Sequence, residues 1–179
     1  MKKLCMILPL ALILCFMVGC QDKEAMAELE EFKAQAEIEA QNKEVVRNYI
    51  KEMDKKNFEI YSEAYAPDAK GYFPSNSSEP MSVEQAVPMA KSFYAAFPDF
   101  SHSIEELIAE GDKVILRAID RGTHQGEFNG IPATGKKIEM GVIVIFKFKE
   151  GKIVEAWEEA DMLGMMQQLD MELKPKEEK

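Results

Sequence analysis

Hydrophobic and polar positions divide the chain into three parts. An unbroken apolar run covers residues 4–19, and a polar stretch rich in Ala, Glu, Gln and Lys covers residues 22–42. From about residue 43 apolar residues recur at helical spacing, and after residue 100 the period changes to two, which is typical of strands. The pattern predicts an N-terminal targeting segment, a helical tether and one folded domain. Their predicted boundaries are 1–19, 20–42 and 43–179, with a polar tail from about residue 172.

Helical patterns come first in the predicted domain. Apolar residues at i, i+3, i+4 and i+7 predict a first helix that ends at the polar turn 54–57. These residues are Val46, Tyr49, Ile50 and Met53. A short second helix is predicted over 58–66, where Pro67 stops it, and a brief strand at 71–74 follows.

A capping box predicts the third helix. Ser82 and Gln85 have the spacing at which each side chain bonds to the backbone N–H of the other residue. Tyr94 and Phe97 then fall on the inner face of this helix. Pro88 should kink the helix or delay its start, because proline has no backbone N–H.

Strands follow the helices. Alternating runs cover about 101–109, 113–126, 136–149 and 152–161, and the short Gly-containing turns between most of them have hairpin lengths. Helices followed by an antiparallel meander predict an α+β fold. About three N-terminal helices pack on an antiparallel sheet in this fold, and a short C-terminal helix follows the last strand.

Two strands carry further information about the faces of the sheet. Residues 142–146 are apolar on both faces, so we expect helices to cover one face and a second subunit to be a candidate for the other. In the last strand, strict alternation places Glu158 on one face with Val154, Ala156 and Ala160. The other face is expected to carry Ile153, Glu155, Trp157 and Glu159.

Amino-acid composition argues against several classes of function. The 179-residue chain has 22 Lys and Arg against 32 Asp and Glu, and this net charge of −10 argues against nucleic-acid binding. Cys5, Cys15 and Cys20 are the three cysteines, so the domain itself has no disulfide, zinc thiolate site or catalytic thiol. His102 and His124 do not have a metal-ligand spacing, and we expect no metal ion and no cofactor.

The first twenty residues have the layout of a secretory signal. Lys2 and Lys3 precede the apolar run, which is short for a membrane span and ends in small residues. The stretch MVGC at 17–20 resembles a bacterial lipobox, which implies that Cys20 is acylated and becomes the mature N-terminus. Two or three acyl chains anchor a protein firmly in a bilayer. We therefore expect a lipoprotein of the bacterial cell envelope, and an uncleaved membrane anchor is the alternative.

Four segments of the domain carry a family resemblance. They are FYAAFPDF (93–100), EELIAEGDKVILR (105–117), GTHQGEFNGIPATGKKI (122–138) and GKIVEAWEEADMLGMMQQL (151–169). Together they resemble the SnoaL-like polyketide cyclases, also called ester cyclases, of the nuclear transport factor 2-like superfamily. The resemblance implies a cone-shaped fold in which helices close over a curved sheet and leave a pocket. It also implies intramolecular aldol chemistry that requires neither a metal nor an organic cofactor.

The same resemblance implies a site residue on the last strand. An ungapped alignment from Gly151 places Glu158 at the family's acid/base carboxylate. Val142 and Val144 then occupy the positions of an assisting Gln and His. If these valines line an apolar cavity with Phe146, Val154 and Ala156, desolvation raises the pKa of Glu158 and makes it a candidate general acid or base. The alternative is a solvated carboxylate at the rim.

Other side chains have both a functional and a structural interpretation. His124 either binds a ligand carbonyl or braces the hairpin beside it, whereas His102 is expected to be exposed or structural. Tyr49, Phe73 and Tyr94 are candidate pocket walls or core residues. We expect Arg117 to pair with an acidic side chain on a neighbouring strand and Asp161 to cap the C-terminal helix.

Three functions follow from these observations. The first is a membrane-anchored domain whose apolar pocket binds a small hydrophobic or carbonyl-bearing molecule. The second is a cofactor-independent cyclase, isomerase or lyase that uses Glu158 as acid and base. The third is a protein-interaction module that works through its sheet face. A homodimer is compatible with each of them.

Overall fold

A computed structural model of the chain describes the backbone of residues 7–171 and the side chains of residues 23–171. The predicted signal peptide, the Cys20 side chain and the polar tail lie outside the residues whose side chains are described. The chain divides into two compact units, Met1–Ile38 and Glu39–Lys179. Helix α1 covers Ile7–Asp54, which confirms the helical prediction for residues 22–42.

Within the described residues, no helix has the length and apolar character that a membrane span requires.

The second unit holds the remaining elements, beginning with three short ones and a capped helix. Helix α2 covers Ile60–Ala64, strand β1 Tyr65–Tyr72, strand β2 Met81–Ser82 and helix α3 Val83–Ala96. The Ser82–Gln85 capping box is present, and it starts α3 directly at Val83. Pro88 therefore lies inside the helix and does not delay its start.

Strand β1 corrects the prediction for this region. It begins six residues before the predicted start at 71, and Pro67 lies within it rather than only ending a helix. Pro67 falls where the pairing of β1 with the last strand is irregular, between Tyr65 and Lys70. A residue without an N–H is tolerated there because no regular ladder bond is lost.

Four long strands complete the sheet. Strands β3 Ser101–Glu110, β4 Lys113–Thr123, β5 Lys137–Lys149 and β6 Lys152–Ala160 pair as antiparallel neighbours, as predicted. The full order is β2-β1-β6-β5-β4-β3, and β1 pairs with β6 in parallel. The α+β prediction is confirmed, but the curved sheet is mixed rather than purely antiparallel. Hairpin lengths constrain only consecutive strands, so they could not reveal this pairing.

A β-bulge near the start of β6 corrects one predicted face. Phe148 pairs with Ile153 and Lys147 pairs with Glu155, so Val154 is an extra residue in β6. The extra residue shifts the alternation by one position, because two residues of one strand then oppose one of the other. Ile153 is fully buried beside Phe148 instead of lying on the outer face. From Ala156 onward the predicted alternation is correct.

The inner sheet face and the helices share one core. The buried residues alternate along β5, where even-numbered positions from Ile138 to Phe148 point inward. They belong to one cluster with Val46 and Ile50 of α1 and Phe97 after α3. Burial of this continuous apolar surface is the main force that fixes the helices on the sheet.

Two predicted polar contacts are present. The Arg117 Nε lies 3.0 Å from the Glu106 Oε2 on the neighbouring strand. Asp161 caps helix α4, Met162–Gln168, and its Oδ1 accepts the Gly164 N–H at 2.8 Å. Both interactions satisfy polar groups at element ends or on the sheet surface.

The outer sheet face carries a row of apolar side chains across five strands. In register order these are Ile108, Ile115, Ile145, Trp157 and Tyr72. The indole of Trp157 and the ring of Tyr72 stack with centroids 5.8 Å apart. Ile143 on the same face is 48% exposed. This outer apolar row has no covering helix among the described residues.

Candidate functional site

A small cavity opens beside Glu158 on the inner face of β6. Its volume is about 100 Å³. The walls come from α1, from the α2–β1 segment, from the 71–89 region and from β6. Its side chains include Tyr49, Tyr61, Tyr65, Phe73, Met89, Ala156 and Glu158. The wall is mainly apolar and aromatic. A single carboxyl group in such a wall is typical of a polar group that orients or reacts with a ligand.

Three tyrosines surround the carboxyl side of this cavity. The Tyr49 ring lies edge-on to Tyr61 and to Tyr65, with both centroid distances 5.5 Å. Tyr61 and Tyr65 stack on each other at 5.6 Å. Burial raises the pKa of Tyr61 and of Tyr65, and the negative charge of Glu158 adds to both shifts. These phenols therefore keep their protons at neutral pH and can donate hydrogen bonds.

Glu158 carries the carboxyl group of the cavity. Its strand neighbour across the ladder is Val144, and Ala156 precedes it on the same face. Burial raises the pKa of Glu158 to about 7, and the charge of Asp120 adds to the shift while His102 opposes it. A carboxyl group that titrates near neutrality can both accept and return a proton under physiological conditions. This is the property that a general acid/base needs.

A second polar cluster lies deeper under the helices. The His102 Nδ1 is 2.7 Å from the Asp54 Oδ1, and its Nε2 is 3.9 Å from the Asp120 Oδ2. The three residues come from the end of α1 and from the paired strands β3 and β4, where His102 lies opposite Asp120. The His102 side chain is only 14% exposed, so its ring is largely enclosed.

Electrostatics couple this cluster to Glu158. Burial lowers the pKa of His102, but the Asp54 hydrogen bond and the charges of Asp120 and Asp54 outweigh it and raise the pKa overall. Burial raises the pKa of Asp120 to about 6, although the His102 charge opposes the shift. The protonated imidazole thus compensates part of the buried negative charge near Glu158. With pKa values raised to about 6 and about 7, Asp120 and Glu158 titrate in neighbouring pH ranges.

The residues predicted for the site lie in three different places. Tyr49, Phe73, Ala156 and Glu158 border the cavity. Val142, Val144 and Phe146 are buried on the inner face of β5, where they form the apolar floor next to β6. Tyr94 is buried on α3 toward Asp54, Asp120 and Tyr61. Val154 is also predicted to line the apolar cavity. It is instead the extra residue of the β-bulge, and it does not border the cavity.

His124 lies away from the cavity in a packed hairpin. Its ring stacks on Phe97 at 5.1 Å, and its Nδ1 is 3.1 Å from the Thr134 Oγ1. The next residues continue this packing, because Gln125 and Gly126 both donate backbone hydrogen bonds to the Ala96 carbonyl. A Cβ on Gly126 would be 2.6 Å from the Ala95 carbonyl oxygen. The GTHQG segment therefore fixes the hairpin against the end of α3, which agrees with the bracing interpretation.

Sequence reasoning did not identify the deeper cluster. The sequence pattern places Asp54 in a polar turn, predicts His102 to be exposed or structural, and gives Asp120 no role. One signal was available for Asp120. Val114, Leu116 and Ala118 define the inward positions of β4, and Asp120 continues that series as a charged residue. Charged side chains at inward positions are rare unless they are paired or functional.

Other features of the described residues are weaker candidates. A groove of about 710 Å³ runs along residues 40–48 of α1 and the α2 region, but it is open, and its Glu44 and Arg47 side chains form an exposed ion pair at 3.4 Å. Among residues 23–171, no group of three or more His, Cys, Asp or Glu side chains has an arrangement that could hold a metal ion. The half-buried carboxyl of Glu158 remains the strongest chemical feature of this part of the chain.

Comparison with known proteins shows that the domain matches one protein family. The profile of the family described as SnoaL-like polyketide cyclase matches residues 43–169. No curated protein matches the chain.

Solved structures with the same fold have sequence identities near one quarter. AclR from Streptomyces galilaeus, a candidate hydroxylase, is 26% identical with a TM-score of 0.68, over 74% of this chain and 97% of AclR. IdmH from Streptomyces antibioticus, a candidate polyketide cyclase, is 27% identical with a TM-score of 0.64, over 73% of this chain and 99% of IdmH. A candidate polyketide cyclase from Acidithiobacillus ferrooxidans is 28% identical with a TM-score of 0.63, over 73% and 94%. Their descriptions name two different activities on one fold.

Proposed function

Since the chain belongs to the SnoaL-like polyketide cyclase family, we propose that its domain binds a small, mostly apolar carbonyl compound and transfers a proton on it without a cofactor. Glu158 is the acid/base in this proposal. One observation carries it: a carboxyl group with a pKa raised to about 7 lies in a cavity bordered by protonated tyrosines. The candidate cyclase activity of IdmH agrees with this class of chemistry.

The proton transfer uses groups that border the cavity. Ionised Glu158 takes a proton from the carbon next to the ligand carbonyl. The C–H electron pair forms the C=C bond of an enolate, and the carbonyl π pair moves to the oxygen. The phenol groups of Tyr61 and Tyr65 are suited to donate hydrogen bonds to that developing oxyanion. Return of the proton from Glu158 to the same carbon gives exchange, and return to a different carbon of a conjugated ligand gives isomerisation. If the enolate carbon instead attacks a second carbonyl of the same ligand, a C–C bond closes a ring and protonated Glu158 gives its proton to the resulting alkoxide.

An exchange experiment tests this function directly. Incubation of cyclohexanone in D₂O with the wild-type protein should speed deuterium incorporation next to the carbonyl, measured by NMR. Glu158→Gln should lower the enzyme-dependent rate by at least about 100-fold, because general acid–base catalysis contributes about that much. Glu159→Gln is the matched control, since Glu159 is exposed on the opposite face of the same strand. Equal rates for wild type and Glu158→Gln would refute the assignment.

Binding without turnover is a second candidate. The cavity is small, and Val142 and Val144 occupy positions that the family resemblance assigns to assisting polar residues. This version predicts saturable cyclohexanone binding by the wild-type protein with no exchange that depends on Glu158. The same samples therefore separate the two candidates.

Membrane attachment through Cys20 is a further part of the proposal. The lipobox-like MVGC stretch and the preceding apolar run support acylation and a place in the cell envelope. In the native host, Cys20→Ser should move the protein from the membrane fraction to the soluble fraction. Cys15→Ser is the control, because it lies inside the segment that cleavage removes. Retention of Cys20→Ser in membranes would contradict acylation at this residue.

A further inference from the structure

Three buried side-chain atoms have no hydrogen-bond partner among the described residues. One is the Nε2 of His124 in the packed hairpin, and the other two are the Tyr94 hydroxyl oxygen and the Asp120 Oδ1. Tyr94 is 6% exposed and Asp120 is 5% exposed. Buried polar groups in folded proteins are almost always hydrogen-bonded, so a pair of unsatisfied ones indicates a partner that is not part of the chain.

Both side chains are held firmly in place. The Tyr94 ring packs edge-on against Phe58 and Phe100, each with a centroid distance of 5.6 Å. Asp120 lies on the inner face of β4, and its other oxygen, Oδ2, faces the His102 Nε2 at 3.9 Å. The neighbouring contact with His102 therefore orients Asp120 and leaves Oδ1 available.

The two residues do not border the cavity, but they are close enough to its lining residues for their charges to interact: the charge of Asp120 acts on Glu158. The pKa of Tyr94 is raised by burial and by the charges of Asp54 and Asp120, with Tyr61 contributing as well. Tyr61 borders the cavity that contains Glu158. The inner sheet face has small side chains on the strands between Asp120 and Glu158, namely Ala118 of β4 and Ala160 of β6, which pair with Val142 of β5. A ligand that spans the two ends would therefore lie over small side chains of the inner sheet face.

Hydrogen-bond chemistry limits which group can satisfy both atoms. An ionised Asp120 oxygen only accepts, whereas the Tyr94 hydroxyl can donate as well as accept. A hydroxyl group that donates to Asp120 and accepts from Tyr94 satisfies both at once. A carbonyl oxygen has no proton for Asp120, and an alkyl group leaves both buried atoms unpaired, which is unfavourable.

We propose that Tyr94 and Asp120 form a subsite for a hydroxyl group of the ligand. The ligand is then a small hydroxy-carbonyl compound, with its carbonyl at Glu158 and its hydroxyl at the Tyr94–Asp120 end. The assignment of the carbonyl end rests on the proposed function, whereas the hydroxyl subsite rests on the two unsatisfied atoms. His102 and Asp54 act on this subsite as positioning residues for Asp120.

Two matched probes test the subsite. Cyclohexanone and 4-hydroxycyclohexanone differ by one hydroxyl group, and NMR titration of the wild-type protein gives a Kd for each. We expect 4-hydroxycyclohexanone to bind at least about tenfold more tightly, which is the lower end for a hydrogen bond to a charged group. Tyr94→Phe and Asp120→Leu should each reduce this preference to about twofold or less. Asp112→Asn, on the β3–β4 turn, is the control that should keep it.

Several outcomes would overturn the subsite. They are equal affinity of the two probes for the wild-type protein, a preference that survives in both variants, and no saturable binding of 4-hydroxycyclohexanone. A crystal structure with that probe in which a water molecule bridges Tyr94 and Asp120 would also overturn it. Tyr94→Phe removes one oxygen atom only, so it decides the question even if Asp120→Leu fails to fold.

The same samples separate this inference from the proposed function. If Glu158-dependent deuterium exchange of cyclohexanone is present but the hydroxyl preference is absent, the subsite is wrong and the acid/base assignment stands. If the preference is present and depends on Tyr94 but no exchange depends on Glu158, the subsite stands and the catalytic assignment is wrong.

Discussion

His102 and Asp54 are joined at two points. The Asp54 Oδ1 lies 2.7 Å from the His102 Nδ1 and accepts the His102 backbone N–H at 3.1 Å. The last residue of α1 is thereby attached to the start of β3, and one carboxylate controls both a backbone position and the charge of an imidazole. This contact connects the packing of the helix to the electrostatics of the cavity.

Removal of the Asp54 carboxylate should change both stability and the titration of His102. Asp54→Ala is expected to lower the free energy of unfolding by about 1–3 kcal/mol, because it removes hydrogen bonds from a charged acceptor. It should also lower the pKa of His102, since the Asp54 contact is the largest contribution that raises it. NMR titration of the imidazole Cε1–H resonances measures this, and His124 gives a second signal in the same spectrum. An unchanged His102 titration would contradict the coupling.

The raised pKa of Glu158 predicts a pH dependence of stability. In the folded state the carboxyl keeps its proton to about pH 7, whereas the ordinary value is 4.5. The folded state therefore binds more protons between these values, and the free energy of unfolding falls as pH rises from about 4.5 to 7. Glu158→Gln should reduce this fall by about 1–3 kcal/mol.

Urea unfolding of the wild type and Glu158→Gln at several pH values measures the difference between the two proteins. Because the pKa values of Asp120 and His102 are also raised, their titration lowers the free energy of unfolding as pH rises too. These contributions are present in both proteins and cancel in the comparison. Parallel stability curves from pH 4.5 to 8 would show that Glu158 titrates normally.

Gly126 should be intolerant of any side chain. Its Cβ position is 2.6 Å from the Ala95 carbonyl oxygen and 3.0 Å from the Ala96 Cα, both of which are backbone atoms that cannot move freely. Gly126→Ala should destabilise the domain by about 1–3 kcal/mol through overpacking. Gly141→Ala is the matched control, because no atom lies within 4 Å of its Cβ position. Thermal unfolding distinguishes them, and equal Tm values would refute the close approach.

The outer apolar row predicts self-association. Ile115 and Ile143 are exposed on this face, and apolar sheet surfaces of this kind often bind another chain. If two copies pair through it, Ile143→Lys should convert a dimer to a monomer in light-scattering measurements while the Tm stays within a few degrees. Leu163→Lys, at a similarly exposed position on α4, should keep the dimer. A wild-type protein that is monomeric at micromolar concentration would exclude this arrangement.

The sequence by itself determined the order and type of the main elements. Local signals sufficed for the Ser82–Gln85 cap, the Asp161 cap and the four hairpin-connected strands, because each depends on residues that are close along the chain. The sequence also placed Glu158 on the inner face of β6, since the alternation of side chains along a strand is a local property. Alternation alone placed Ile153 on the wrong face, because the bulge at Val154 depends on pairing with β5.

Only the tertiary structure decided the chemistry around Glu158. Asp54, His102 and Asp120 come from three elements separated by many residues, and no periodic pattern records their approach. The parallel pairing of β1 with β6 is equally non-local, and it brings Tyr65 to the cavity. A pKa depends on burial and on charges in space, so the sequence identified the carboxyl group while the fold set its proton affinity.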